Sequence, residues 1–157
     1  MRAGLILFIS LFSISFAANA QTCKVIKIID ADTIRVDCAG VSDRIRLCGI
    51  DSPEKKQPYS KEATALVKQL LKGGSVELVE VERDRYQRMV AEVFVGKTFV
   101  NAEVVKAGYA YEYKKYSKKC PHKIEITQAE EVAQRSKAGV WDGNNYQMPW
   151  DFRKNRK

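Results

Sequence analysis

The chain has 157 residues, 45% hydrophobic and 29% charged, with a formal net charge of +8 at pH 7. That length gives one domain with room for a core, and the absence of internal repeats or a long low-complexity segment excludes solenoid and low-complexity classes. The basic balance expects an anionic partner, whether nucleic acid, an anionic envelope or another polyanion, although charge alone also serves solubility.

The chain opens on a leader. Arg2 supplies a positive start, an apolar run from Leu5 to Phe16 follows, and Ala18-Asn19-Ala20 is a small-x-small cleavage signature before Gln21. This pattern predicts a secretory signal peptide, residues 1–20. The run is short for a bilayer span, which disfavours an uncleaved anchor. The expected mature chain is one domain over 21–157, with a core of about 24–141 and a basic aromatic tail over 142–157. It is expected to be exported, secreted or periplasmic, and without stable membrane association. Cys23, Cys38, Cys48 and Cys120 all lie in this part, and an even count in an exported chain favours disulfides. A zinc site is the rival, but no Cys-x-x-Cys pair occurs and His122 is the sole histidine.

Two strands are predicted first, Lys24 to Ile29 and Thr33 to Asp37, around a tight Asp-Ala-Asp turn. Ile26, Ile28, Ile34 and Val36 supply the period-two alternation. In a hairpin centred between Asp30 and Ala31, Cys23 and Cys38 fall opposite one another. They are expected to pair, leaving Cys48 to pair with Cys120. A third strand runs from Arg44 to Ile50, with Ile45 and Leu47 on one face and Arg46, Cys48 and Ile50 on the other. Pro53 and Pro58 then break regular structure.

Ser60 is a candidate cap for a helix running to about Lys72, with Ala63, Leu66, Val67, Leu70 and Leu71 as its apolar stripe and Gly73-Gly74 as its stop. Strands follow at Val76 to Val81 and Met89 to Val95, joined by a charged linker carrying Tyr86. Asn101 is a candidate cap for a short second helix ending at Gly108. An aromatic segment, Tyr109 to Tyr113, leads into a basic loop, Lys114 to Lys123. A third helix then runs to about Ala138, with Ile126, Ala129, Val132 and Ala133 on one side. Five strands and three helices predict an α+β architecture: a Greek-key β-barrel with helices packed on it.

The chemistry lies at strand ends. Asp30, Asp32, Asp51 and Glu54 place four carboxylates where strands meet turns, with Arg46 and Arg88 nearby. Taken singly, each aspartate is ordinary turn chemistry, Glu54 an ordinary surface glutamate, Arg46 a structural ion-pair partner and Arg88 an exposed flank. Together, carboxylate oxygens suit a hard cation such as calcium, magnesium or manganese, and guanidinium forks suit a phosphate. Phosphodiester chemistry is the expectation.

Three segments in order sharpen it: Ile28-Ile29-Asp30-Ala31-Asp32-Thr33, then Arg44-Ile45-Arg46-Leu47-Cys48-Gly49-Ile50-Asp51-Ser52-Pro53-Glu54, then Asp84-Arg85-Tyr86-Gln87-Arg88. With the Val100–Gly108 helix and the later Lys137-Ala138-Gly139-Val140-Trp141, this order resembles the thermonuclease, or staphylococcal nuclease-like, family from about Val25 to Trp141. The resemblance implies a five-stranded OB-fold barrel with three helices. It also implies a calcium-dependent endonuclease that acts on DNA and RNA and leaves 3′-phosphate ends. By position, Asp32 and Asp51 match the calcium-binding carboxylates, and Ser52 stands where a threonine usually ligates through its backbone carbonyl. Asp30 matches an acidic residue that is not a direct ligand. Glu54 matches the proposed general base, Arg46 and Arg88 the phosphate-binding arginines, and Tyr86 a tyrosine near the nucleotide phosphate.

Departures from the family prototype are visible. The loop after Glu54 is shorter, and the four cysteines are an addition. Lys114 and Tyr116 stand at the two base-flanking tyrosine positions, with Tyr111 and Tyr113 as substitutes after a register shift. Tyr109, Tyr111, Tyr113 and Tyr116 are candidates for stacking on splayed bases. Lys114 and Lys115, with Lys118, Lys119 and Lys123, are candidates for tracking the nucleic-acid backbone. The expected protein is a monomeric nuclease. The alternatives are a non-catalytic OB-fold module that binds single strands and a basic envelope-binding protein, for both of which the carboxylates would be idle.

Overall fold

The computed structural model describes residues 20–155. The expected leader lies outside the described residues, apart from Ala20. Among the described residues, no helix is long and apolar enough to cross a membrane.

Strand β1 (Ala20–Ile28) pairs antiparallel with β2 (Thr33–Cys38) around the Asp30-Ala31-Asp32 turn. Ile34 and Val36 are fully buried, as their alternation predicts, but Ile26 is 52% exposed. The ladder slips between Val25 and Lys27, and this bulge turns Ile26 outward. Strand β3 (Val41–Leu47) continues the sheet beside β2, burying Ile45 and Leu47. Each fully buried aliphatic side chain of this kind stabilises the fold by roughly 1.5–3 kcal/mol.

The third strand ends three residues before its expected limit. Gly49 adopts φ +75°, and a Cβ there would lie 2.8 Å from Cys120 Sγ and 3.2 Å from Ser117 Cα. The chain therefore turns at Gly49. Ile50–Asp51 forms a separate strand, β4, paired with β8 (Tyr111–Glu112).

Helix α1 (Ser60–Leu70) buries Ala63 and Val67 and sets Leu66 and Leu70 against the core. Its cap position is Tyr59, at φ 64°, and Ser60 is its first helical residue. Strands β5 (Ser75–Arg83), β6 (Met89–Val95) and β7 (Thr98–Phe99) complete the larger sheet in the order β3-β2-β1-β5-β6-β7. A parallel pairing of β3 with β6 closes β1, β2, β3, β5 and β6 into a barrel. The fold is thus an α+β OB-fold, with the expected five-stranded barrel.

Helix α2 (Val100–Lys106) starts one residue before Asn101, which is not a cap. Asn101 is fully buried, accepts from the Val93 N–H at 3.0 Å and donates to the Cys48 carbonyl at 2.9 Å. It satisfies backbone groups that the barrel would otherwise bury without partners. Within the expected basic loop lies a helical turn, α3 (Lys114–Ser117). Helix α4 (Lys123–Ser136) packs on α2 and buries Ile126, Ala129 and Ala133, whereas Val132 is exposed. A 3₁₀ turn (Gly139–Trp141) and a further helix, α5 (Pro149–Lys154), follow. The three expected helices are α1, α2 and α4; α3 and α5 are additions.

Cys23 is bonded to Cys38, with Cα atoms 4.4 Å apart, and Cys48 to Cys120, at 6.0 Å. The first clamps the β1–β2 hairpin. The second ties the Gly49 turn to the segment leading into α4. His122, beside it, meets the fully buried Glu92 through Nδ1 at 2.6 Å and its backbone N–H at 2.7 Å.

Candidate active site

The site forms where β1, β3 and β4 end at one side of the barrel. Asp30 shapes the first turn by accepting the Asp32 N–H at 3.1 Å. Asp32 is then held on every side. Its Oδ2 accepts the backbone N–H and hydroxyl of Ser52 at 2.7 and 2.8 Å, and its Oδ1 accepts the Thr33 hydroxyl at 3.0 Å.

Arg46 pairs across the sheet with Thr33, which places its guanidinium over the same turn. Nη1 lies 3.1 Å from Asp32 Oδ1, and Nη2 donates to Asp51 Oδ1 at 2.9 Å. One arginine thus bridges the two aspartates. Asp51 is fully buried on β4, and the turn at Gly49 is what delivers it there. Pro53 redirects the chain, and Gln57 Oε1 fixes the Glu54 N–H at 2.9 Å.

Electrostatics separate the carboxylates. Burial opposes ionisation of Asp32, but Arg46 and the Ser52 hydrogen bonds together hold its carboxyl below the ordinary value. Burial pushes the Asp51 carboxyl up, against its hydrogen bonds from Arg153. Burial, with the neighbouring Asp32 charge, raises Asp30 to about 7.

Arg88 lines the same cleft but does not touch these carboxylates. Its Nε and Nη2 both meet Asp84 Oδ2 at 2.7 Å, so Asp84 aims it. Burial opposes ionisation of Asp84, and hydrogen bonds from Arg88 and Tyr86 outweigh it, holding the carboxyl low. Tyr86 is 65% exposed on the cleft wall, with the guanidinium carbons of Arg85 and Arg88 at 4.7 and 5.6 Å from its ring centroid.

The aromatic candidates divide. Tyr113 and Tyr116 meet edge-to-face at 4.7 Å on the cleft wall, and Tyr116 is 47% exposed. Tyr111 is 3% exposed and packs edge-on against Trp141 and Trp150. It supports the wall from behind and offers no face to a base. Tyr109 packs against Tyr59, away from the cleft. Lys115 and Lys119 line the cleft, and Lys119 pairs with Glu82. Lys114 is exposed outside the cleft lining.

Helix α5 brings two residues that sequence reasoning missed. Arg153 meets Asp51 through Nη1–Oδ1 at 3.1 Å and Nη2–Oδ2 at 2.7 Å, and its Nη1 meets Glu54 Oε1 at 2.7 Å. Burial weakens the Arg153 charge, but Asp51 and Glu54 more than restore it, so its pKa is raised. Trp150 stacks on Tyr113 at 4.9 Å with an interplanar angle of 14°. The signal was present in the tail: proline at the first helical position, aspartate in the first turn and basic residues in the last.

Among the described residues, no group of three or more His, Cys, Asp or Glu side chains is placed to hold a metal. The side-chain acceptors that Arg46 brings together here are oxygens, the carboxylates of Asp32 and Asp51. They suit a hard cation. Asp51 and Glu54 already converge on one positive group, the Arg153 guanidinium, so the local field favours a cation at this place.

A family model described as staphylococcal nuclease homologue matches residues 44–143. An uncharacterized endonuclease of Haemophilus influenzae is 37% identical over 150 residues, covering 94% of this chain and 82% of that protein. A thermonuclease of Staphylococcus hyicus is 39% identical over 132 residues, covering 79% of this chain and 78% of that one. A staphylococcal-like nuclease of Arabidopsis thaliana, CAN1, is 36% identical over 114 residues; the match covers 73% of this chain but 34% of the plant protein. With this barrel, this strand-end cluster and these relatives, the chain belongs to the staphylococcal nuclease homologue family.

Proposed function

We propose that this nuclease is an exported, calcium-dependent endonuclease that hydrolyses DNA and RNA phosphodiesters and leaves 3′-phosphate ends. The observation that carries the reading is the Arg46 bridge between Asp32 and Asp51, with Glu54 and Arg88 on the same cleft. A module that only binds strands gains nothing from buried carboxylates beside a phosphate path, because like charges repel. Two disulfides support an oxidising compartment, periplasmic or extracellular.

Asp32, Asp51 and the Ser52 carbonyl are the residues that would hold calcium, which when bound supplies positive charge to a non-bridging phosphate oxygen. Glu54 acts as general base and takes a proton from the attacking water. A bond forms between the water oxygen and phosphorus, the P–O5′ bond breaks, and a proton reaches the departing 5′ oxygen. Arg46 and Arg88 stabilise the charge that builds on the phosphoryl oxygens; their planar forks suit that geometry. Tyr86, Tyr113 and Tyr116 offer faces to the sugar and bases, and stacking of this kind tolerates any base. Lys115 and its neighbours follow the backbone charge.

The test is incubation of the purified mature protein with DNA and with RNA, each with calcium, magnesium or chelator, and end-group analysis of the products. The reading expects cleavage of both polymers in calcium, weaker cleavage in magnesium, none in chelator, and 3′-phosphate ends. Binding without cleavage in calcium would favour the single-strand-binding module.

A further inference from the structure

Helix α5 covers the cleft at its chemical centre. Arg153 spans Asp51 and Glu54, the expected metal-binding carboxylate and the expected base. Eleven residues upstream of Arg153 the chain is still tied to the barrel side: Asp142 accepts the Tyr59 hydroxyl at 2.7 Å. Gln57 then donates to the Gln147 carbonyl at 2.6 Å, and Trp150 lies flat on Tyr113. The segment is docked at several points, and its cation sits on the carboxylates.

The lone pairs decide what this docking does. A carboxylate has about four acceptor sites. Asp32 accepts from Ser52, just past β4, and from Thr33 of β2, and pairs with Arg46 of β3. Asp51 Oδ1 receives Arg46 and Arg153, and Oδ2 receives Arg153. Arg46 is fixed in β3, and its side chain is 15% exposed. Arg153 comes from the six-residue helix α5, outside the barrel, and its side chain is 43% exposed. Of the groups on Asp51, Arg153 is the one that can leave without opening the barrel. At Asp51 Oδ2, which Arg153 engages and Arg46 does not, a divalent cation and the guanidinium compete for one oxygen, and their like charges repel at that separation.

We propose that α5 is a displaceable latch, whose Arg153 competes with the divalent cation for Asp51 and withholds Glu54, while Trp150 covers Tyr113. The inference rests on the metal-site reading above. In the docked state the cation site, the base and one aromatic face are all engaged by α5. Release of Arg153 from Asp51 frees Glu54, loosens the Trp150 stack and would leave Asp51 open to the cation. Because the binding-competent state is the undocked one, the apparent affinity for metal is reduced by the docked fraction.

The test is calorimetric titration of calcium into the full mature chain and into Arg153→Ala, Arg153→Gln and Asp51→Asn. Tryptophan fluorescence and limited trypsin digestion follow α5 directly. The latch expects the two Arg153 variants to bind calcium about tenfold more tightly than wild type, which corresponds to a latch docked about nine-tenths of the time. It also expects calcium to change the fluorescence and to expose the Arg153–Lys154 region of the wild type to trypsin. Equal or weaker calcium affinity in both Arg153 variants would overturn the latch while leaving the metal site standing. No calcium binding in wild type and Arg153 variants alike would overturn the metal-site reading and the latch with it. Calcium binding that survives Asp51→Asn unchanged would show that the ion binds elsewhere and would likewise overturn the latch.

Discussion

The Oδ2 atom of Asp32 accepts two hydrogen bonds from Ser52, one from the backbone N–H at 2.7 Å and one from the hydroxyl at 2.8 Å. The side chain at position 52 therefore orients the aspartate, beyond any role of its carbonyl. Ser52→Ala is expected to remove a hydrogen bond to a charged group and to cost about 1–3 kcal/mol of stability, with a fall in turnover. Ser52→Thr keeps the hydroxyl and should retain most of both. Urea unfolding and initial rates on the three proteins decide the matter. An alanine variant as stable and as fast as wild type would show the hydroxyl to be idle.

Asp30 makes stability depend on pH. Burial first, and the Asp32 charge second, raise its pKa from 3.8 to about 7 in the folded protein. Between about pH 4 and pH 7 the folded state keeps a proton that the unfolded chain has lost, so this group's contribution falls as pH rises through that window. Asp30→Asn keeps an acceptor for the Asp32 N–H and removes the titration. Its expected effect is a gain of about 1–3 kcal/mol above pH 7, vanishing near pH 4. Thermal unfolding across that range reads it, and parallel profiles for variant and wild type would contradict it.

The two disulfides should differ in worth. Cys48–Cys120 closes a sequence separation of 72 residues and Cys23–Cys38 one of 15. The chain-entropy argument gives about 4 kcal/mol for the longer loop and about 3 kcal/mol for the shorter. Paired cysteine-to-alanine variants, compared by denaturant unfolding, should lose more stability for the 48–120 pair. The reverse order would mean that the hairpin clamp matters more than loop closure.

Lys115 and Lys118 are exposed on and beside α3, next to the Tyr113–Tyr116 pair. Replacing each by alanine should weaken substrate binding and spare the chemical step. The slope of log K against log salt should flatten by about one for each phosphate no longer neutralised. Binding isotherms at several salt concentrations test this. An unchanged slope would make them ordinary solvated charges.

Much of this arrangement was legible in the sequence, and the rest was hidden for identifiable reasons. The alternation of Ile34, Val36, Ile45 and Leu47 fixed the inner face of the barrel, because period two has only two faces to choose between. The mirror placement of Cys23 and Cys38 about the Asp30-Ala31 turn gave their pairing. The strand end at Leu47 was not visible, because Cys48 and Ile50 continue the apolar run. What breaks the strand is the tertiary approach of Cys120 and Ser117 to Gly49. Asn101 reads locally as a cap, yet it bridges the backbone of β6 to the turn at Cys48, a role set by long-range neighbours. Tyr111 reads like its neighbours at 109, 113 and 116; pairing with β4 turns it inward. Arg153 lay in a short basic tail whose helical signals were present but whose target, 102 residues back along the chain, was not.

Under the proposed function, this strand-end cluster performs hydrolysis with Glu54 as its base. The most direct measurement is the single-turnover cleavage rate of Glu54→Gln on single-stranded DNA at saturating calcium, with circular dichroism to establish folding. The expected result is a fall of about 10²–10⁴ in rate with the fold intact. A folded Glu54→Gln protein that cleaves as fast as wild type would contradict it.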